Sequence, residues 1–211
     1  MAKRSPFEQY VSEYEQWFVD HHWVFQAEIQ AVRALLPATG SGVEIGVGSG
    51  RFAEPLGIPL GVEPSRQMAV LAGQRGIQIV HGLAEDLPFA AASFDFVLMV
   101  TTICFVANID QALREAHRIL VSNGVCLLGL VDRNSHLGRQ YLQKQGGSLF
   151  YRDAVFYSTD EVIGHLQQVD FHDFSCRQTL FSGLSEVTEN EPVRSGHGQG
   201  SFVVVRGRKK I

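Results

Sequence analysis

The run Val43-Glu44-Ile45-Gly46-Val47-Gly48-Ser49-Gly50 holds the residues of this chain best suited to chemistry. An apolar segment with one acid passes directly into three glycines at alternate positions. Glycine has no Cβ, so the chain can turn sharply there and a ligand can lie almost against the backbone. Glu44 stands at the mouth of the loop. A carboxylate in that place repels a pyrophosphate and suits a cationic group. S-adenosylmethionine, with its ammonium and sulfonium, matches that charge better than a dinucleotide does.

These residues need a strand before the loop and a helix after it, and the chain supplies alternating elements of both kinds. Phe7, Tyr10, Val11, Tyr14, Trp17 and Phe18 follow helical spacing, behind a start signal in which Ser5 caps, Pro6 takes the first position and Glu8 completes a capping box. A second helix carries Phe25, Ile29, Val32, Leu35 and Leu36 and ends at Pro37. A short helix is expected around 52–56, a strand over 58–62, a helix from Ser65 and a strand over 77–80. Phe94–Val100 is an almost unbroken apolar run, as in a strand buried on both faces. Ile109, Ala112, Leu113, Ala116, Ile119 and Leu120 form a helical stripe stopped at Asn123-Gly124, and a further buried strand covers 125–131. Residues 132–158 are less regular. A helix over 159–169 is opened by Ser158 and Glu161 in capping-box spacing, and two strands, 171–181 and 201–206, close the chain. The last two lack a helix-length connection, so they read as a hairpin with an antiparallel final strand. The expected fold is α/β: a Rossmann-like, doubly wound, seven-stranded sheet, mostly parallel, with helices on both faces.

Composition narrows the function. The chain has 211 residues, 45% of them apolar, which suffices for one core without disulfides or metals. The net charge of −4 gives no general attraction to nucleic acid or anionic membrane. The basic stretch Arg206-Gly207-Arg208-Lys209-Lys210 reads as a solvated terminus. No apolar run approaches the roughly 20 residues that span a bilayer, and the N-terminus lacks the pattern of a signal peptide. Cys104, Cys126 and Cys176 have neither metal spacing nor a disulfide framework, which points to a reducing, cytoplasmic setting. No metal site is expected.

Four motifs in order carry a resemblance. They are the glycine run continuing through Arg51-Phe52-Ala53, then Leu60-Gly61-Val62-Glu63-Pro64-Ser65, then Gly82-Leu83-Ala84-Glu85-Asp86-Leu87-Pro88-Phe89, then Phe94-Asp95-Phe96-Val97. On these the chain resembles the class I S-adenosylmethionine-dependent methyltransferases, in particular the small-molecule group of the ubiquinone/menaquinone-biosynthesis type. The resemblance implies S-adenosylmethionine as cofactor and S-adenosylhomocysteine as product. It places Glu44, Gly46, Gly48, Gly50, Glu63, Pro64, Met68, Ala84, Glu85, Val100 and Thr101 at the cofactor. In an open parallel sheet that ligand lies across the carboxyl ends of the strands, at the switch point. Glu63 can take hydrogen bonds from both ribose hydroxyls. Met68 belongs either against the adenine or in the core. Leu83 stands where the family often has an acid that contacts the adenine amino group, so Ala84 and Glu85 are left to serve through backbone groups. Asp95 has a structural place before the fourth strand.

Gly48-Ser49-Gly50-Arg51-Phe52-Ala53 also fits G-x-G-x-x-A, so an NAD(P)-dependent oxidoreductase is the rival reading. A catalytically silent S-adenosylmethionine-binding regulatory protein is the third. For methyl transfer the acceptor is expected to be a small, partly apolar molecule, with no nucleic-acid or membrane partner, and the protein a monomer or homodimer. His21, Thr101 and Arg133 are the candidates for acting on the acceptor. The chain reads as one domain: 1–36 a helical lid, 40–131 the cofactor core, 132–158 a substrate-covering insertion rich in aromatics, and 159–211 a helix with its hairpin. The other reading of the N-terminal helix packs it on the sheet edge. Cys104 reads as a small buried apolar side chain, and 196–200 as a flexible loop.

Overall fold

The computed structural model describes residues 6–210, so the expected cap at Ser5 lies outside the described residues. Three helices open the chain: α1 (Pro6–Gln9), α2 (Val11–Asp20) and α3 (His22–Arg33). The α/β core follows as β1 (Gly42–Ile45), α4 (Ala53–Leu56), β2 (Leu60–Val62), α5 (Arg66–Gln74), β3 (Gln78–Val80), β4 (Phe94–Val100), α6 (Ile109–Ile119) and β5 (Leu120–Val131). The remainder is α7 (His136–Lys144), α8 (Thr159–Gln168), β6 (Phe171–Thr179), β7 (Arg194–Ser195) and β8 (Phe202–Lys209).

The strands form one sheet in the order β3-β2-β1-β4-β5-β8-β6-β7. Strands β1 to β5 pair in parallel, and β8 runs antiparallel to both β5 and β6. The hairpin reading of the last long pair therefore holds. The sheet has eight strands and not seven, because the two-residue β7 pairs with Arg177 and Gln178 of β6.

Strand alternation divides the core into two layers. In β4, Val97 and Met99 face one side with Ile109, Leu113 and Ile119 of α6 and Val162 and Leu166 of α8. Phe96, Leu98 and Val100 face the other, with Phe18, Phe25, Ile29 and Val32 of the N-terminal helices and Ala72 of α5. Each fully buried aliphatic side chain contributes about 1.5–3 kcal/mol over exposure. The switch point falls between β1 and β4, where chain connections leave toward opposite edges.

Local signals explain the helix starts. Ser65 caps α5 by accepting from Met68 N–H, and Asn108 caps α6 from Gln111 N–H. Both halves of the Ser158/Glu161 capping box form at α8. Asp95 is structural, since its Oδ2 accepts Ser41 N–H at 2.8 Å and fixes the entry to β1.

Other expectations need correction. The first helix is not continuous. Tyr10 leaves helical geometry, and Ser65 Oγ donates to Phe7 O at 3.2 Å and to Glu8 Oε2 at 2.5 Å, which holds the short α1 against the start of α5. Residues 132–158 contain a regular helix, α7, capped by Ser135. The basic stretch is not a loose tail: Arg206 to Lys209 belong to β8. The β5 ladder runs as far as Arg208, and Lys209 Nζ donates to His117 O and Leu120 O at 2.7 Å. The 196–200 loop is tied down, because Gln178 Oε1 accepts the N–H groups of Gln199 and Gly200.

Candidate active site

A cavity of about 540 Å³ opens at the carboxyl ends of β1, β2 and β4, at the switch point. Gly46, Gly48, Glu63, Pro64, Met68, Ala84, Glu85, Val100 and Thr101 line it. Glu44 and Gly50 do not stand on its wall.

Glycine is needed at the first two loop positions for close approach. Gly46 has φ +70°, and a Cβ there would fall 2.4 Å from Thr102 Cγ2. Gly48 has φ +56°, and its Cβ would sit 3.1 Å from the Tyr14 hydroxyl. Gly50 packs α5 instead, facing Ile77 and Ala72.

Glu63 is 6% exposed, at the end of β2. Its Oε2 accepts Gly48 N–H and its Oε1 accepts Ser65 N–H, both at 2.8 Å. Burial pushes its carboxyl upward and the two amides draw it back, leaving a net rise. An ionised carboxylate offers about four lone-pair sites. Two amides therefore fix Glu63 in place and leave capacity for ligand hydroxyls.

Glu44 is fully buried behind the loop. Burial raises its carboxyl well above the usual range, despite one hydrogen bond from Ala53 N–H. Its Oε2 has no partner, and its charge reaches the Tyr14 hydroxyl on the cavity wall. An orphan carboxylate oxygen behind a glycine cradle fits a cationic ligand group.

Along the third motif, Leu83 is 57% exposed and borders the cavity. Glu85 borders it too, but its Oε1 accepts Ala107 N–H at 2.7 Å and is occupied in holding the start of α6. Met68 is fully buried and also reaches the cavity wall.

Much of the remaining cavity wall is aromatic. Phe7 and Tyr14 come from α1 and α2, Phe105 from the loop after β4, Tyr141 from α7, and Phe150 and Tyr151 from the segment after it. Phe7 stacks on Phe150 at 5.5 Å and meets Phe105 edge-on at 4.9 Å. Tyr151 stacks with Tyr141 at 5.1 Å and with Phe105 at 5.8 Å.

Of the three residues expected at the acceptor, Thr101 alone lines the cavity. Its φ of +49° is strained for a β-branched residue, and Gly129 O holds its N–H at 2.8 Å. His21 stacks on Trp17 at 4.8 Å, with Nδ1 3.0 Å from Trp17 O. Arg133 pairs with Glu161 at 2.7 Å and ties the end of β5 to the cap of α8. Both stand outside the cavity wall, engaged by partners of their own. Cys104 donates to Thr101 O, and burial pushes its thiol up to about 12, so it stays protonated. Among the described residues no cluster of three or more His, Cys, Asp or Glu suits a metal.

Two further acids emerge. Glu15 of α2 accepts from Ser49, Arg51 and Arg75, so it clamps this helix onto the glycine loop. Glu28 of α3 lines the aromatic end while only 5% exposed. The sequence did carry a sign of it: an acid within the apolar stripe that includes Phe25 and Val32.

Residues 43–128 match the family model described as a methyltransferase domain. The crystal structure of an S-adenosylmethionine-dependent methyltransferase from Thermotoga maritima, described as a possible histamine N-methyltransferase, is 52% identical. It superposes with a TM-score of 0.95 over 97% of this chain and 99% of that one. The chain belongs to the S-adenosylmethionine-dependent methyltransferases. An uncharacterized protein of Methanocaldococcus jannaschii is 40% identical over 203 residues, covering 96% of this chain and 98% of its own. The human mitochondrial 2-methoxy-6-polyprenyl-1,4-benzoquinol methylase shares 40% identity over 79 residues, 36% of this methyltransferase and 24% of that enzyme. S-adenosylmethionine is the cofactor, and the dinucleotide reading of the glycine loop falls away. No helix among the described residues is long and apolar enough to cross a membrane.

Proposed function

We propose that this methyltransferase acts on a small molecule held in the aromatic end of the cavity, by in-line displacement. The observation behind this reading is one chamber of about 540 Å³ whose wall holds both the glycine loop with Glu63 and a set of stacked aromatic rings. Small-molecule sites fall at about 300–1,000 Å³. The description of the Thermotoga neighbour is in keeping with an acceptor of that size.

S-adenosylmethionine, when bound, supplies a methyl group on a sulfonium, an excellent leaving group. The protein's own work is alignment and dehydration. Gly46 and Gly48 present backbone groups to the methionyl part, and the buried Glu44 carboxyl lies behind them. Glu63, held by Gly48 and Ser65, takes the ribose hydroxyls. Ala84 and Glu85 serve the base through their backbone. Phe7, Tyr14, Phe105 and Phe150 wall off water and present flat apolar faces.

Methyl-labelled S-adenosylmethionine decides the acceptor class. The purified protein is incubated separately with the small-molecule, protein and RNA fractions of one cell extract. Label in the small-molecule fraction is the expected result. Label confined to protein or RNA would remove the small-acceptor reading.

A further inference from the structure

We propose that the acceptor is a small organic amine bound as its ammonium, with Glu28 as its counter-ion inside the aromatic chamber. The inference rests on the small-acceptor reading above and names the chemical class.

Glu28 projects from the buried face of α3 and lines the cavity at 5% exposure. Among the described residues it has no hydrogen-bond or ion-pair partner. Buried carboxylates are costly unless paired. Glu63 and Glu85, also on the wall, meet defined protein groups, two amides and the start of α6, while Glu13 on the same wall is exposed to solvent. Glu28 meets only space that a ligand can fill.

The groups around that space are neutral. Tyr141 of α7 and Tyr151 beyond it feel the Glu28 charge, and burial raises both hydroxyls, so neither ionises. The Cys104 thiol, whose charge would also bear on Tyr151, stays protonated. The rings of Phe105, Phe150 and Tyr151 line the same cavity. Aromatic rings attract cations, the more strongly where water is excluded. One buried carboxylate on the wall of a cavity lined with aromatic rings is a receptor for an ammonium. A neutral alcohol or quinol gains little from it.

Burial pushes the Glu28 carboxyl up to about 8, so near pH 7 the empty site holds it mostly protonated. Seating an ammonium requires the carboxylate, and the displaced proton leaves to solvent. For methyl transfer at nitrogen the ammonium passes one proton to the Glu28 carboxylate, and the freed lone pair takes the methyl as S-adenosylhomocysteine leaves. Binding of an amine therefore releases close to one proton, and binding of an alcohol releases none.

The test uses the full-length protein saturated with S-adenosylhomocysteine. Calorimetry compares 2-phenylethylamine, tryptamine and butylamine with 2-phenylethanol, tryptophol and butanol, in two buffers of different ionisation enthalpy. At least one amine should bind tenfold or more tighter than its alcohol, with proton release. In Glu28→Gln that preference and the proton release should vanish, while S-adenosylhomocysteine binds as before. Glu28→Asp should keep part of the preference, which a purely structural role would not produce. If no amine exceeds its alcohol, or if the preference survives in Glu28→Gln, the assignment is overturned. Methyl label found only on protein or RNA would instead remove the small-acceptor reading beneath it.

Discussion

The two ends of the cavity are built on different principles. At the cofactor end every element is local: a strand, a glycine turn and an acid at the next strand's end. Polar groups there are fixed in advance, as Glu63 is by the amides of Gly48 and Ser65. At the aromatic part, the proposed acceptor site, the wall comes from α1, α2, α3, α7 and the loop after β4, segments far apart in sequence. Its one buried charge, Glu28, has no fixed partner among the described residues. A shared cofactor rewards a preset site, and an acceptor that differs between relatives rewards one assembled from interchangeable side chains.

The largest effect should come from breaking the preset end. Glu63→Ala removes the proposed ribose acceptor and frees the two amides, of Gly48 and Ser65, that its carboxylate holds. Two charge-assisted hydrogen bonds lost from a shielded place should cost about 2–4 kcal/mol, on the order of 30- to 1000-fold in dissociation constant. Calorimetry with S-adenosylhomocysteine reads this directly, and unchanged affinity would reduce Glu63 to a loop fastener.

Gly46→Ala should come next. It places a Cβ 2.4 Å from Thr102 Cγ2 at a φ of +70°. The strain and the displaced Thr102 should cost about 1–3 kcal/mol of stability. Cofactor affinity should fall with it, since the same loop meets the ligand. Thermal unfolding with and without S-adenosylhomocysteine separates the two, and a variant as stable as the parent would mean that Thr102 yields without cost.

That contrast governs what was legible beforehand. The glycine loop and the acid at the end of β2 could be read because each is signalled by a few adjacent residues, and the antiparallel β8 because no helix-length connection precedes it. Helix α7 escaped because its polar, glycine-containing sequence hides the stripe of Leu137 and Tyr141, although Ser135 marked its start. The tiny β7 depends on β6 alone for its pairing. Arg206 to Lys209 looked like a tail because charges end the chain, yet their backbone completes the ladder between β5 and β6. His21 and Arg133 drew notice by residue type, while their partners Trp17 and Glu161 become evident only in the fold. Glu28 was visible as a charge in an apolar stripe, but only the tertiary structure shows that the stripe reaches the cavity.

Glu28→Gln sharpens the comparison through stability. A carboxyl at about 8 in the fold and 4.5 when free is held protonated by burial. A raised acid contributes fully below the unfolded value and loses that contribution as pH rises through the folded one. The parent should therefore weaken between about pH 4.5 and pH 8, where Glu28→Gln does not. Near pH 8 the variant should be more stable by on the order of 1–3 kcal/mol, and near pH 4 the two should converge. Melting curves across that range test it, and parallel profiles would mean that Glu28 ionises freely.

The smallest effect concerns Glu15, which joins the two ends. It sits on α2, whose Tyr14 and Trp17 face the chamber, and grips Ser49, Arg51 and Arg75 beside the glycine loop. Burial works to raise its carboxyl, but the hydrogen bonds from Ser49, Arg51 and Arg75 outweigh it and leave the value lowered. A depressed acid has the opposite sign to Glu28: its contribution is present above the unfolded value of 4.5 and is lost as pH falls through the folded one. Glu15→Gln should lower stability at neutral pH by about 0.5–1 kcal/mol, a modest figure because its partners are partly exposed. The gap to the parent should close in acid, below about pH 4.5. Because α2 also walls the acceptor end, amine binding in the variant should weaken by a few-fold, and S-adenosylhomocysteine binding by no more. Chemical denaturation at pH 7 and pH 4, with both ligands titrated at pH 7, reads all three quantities. A variant that loses the cofactor and keeps the acceptor would assign α2 to the preset end and redraw the boundary between the two.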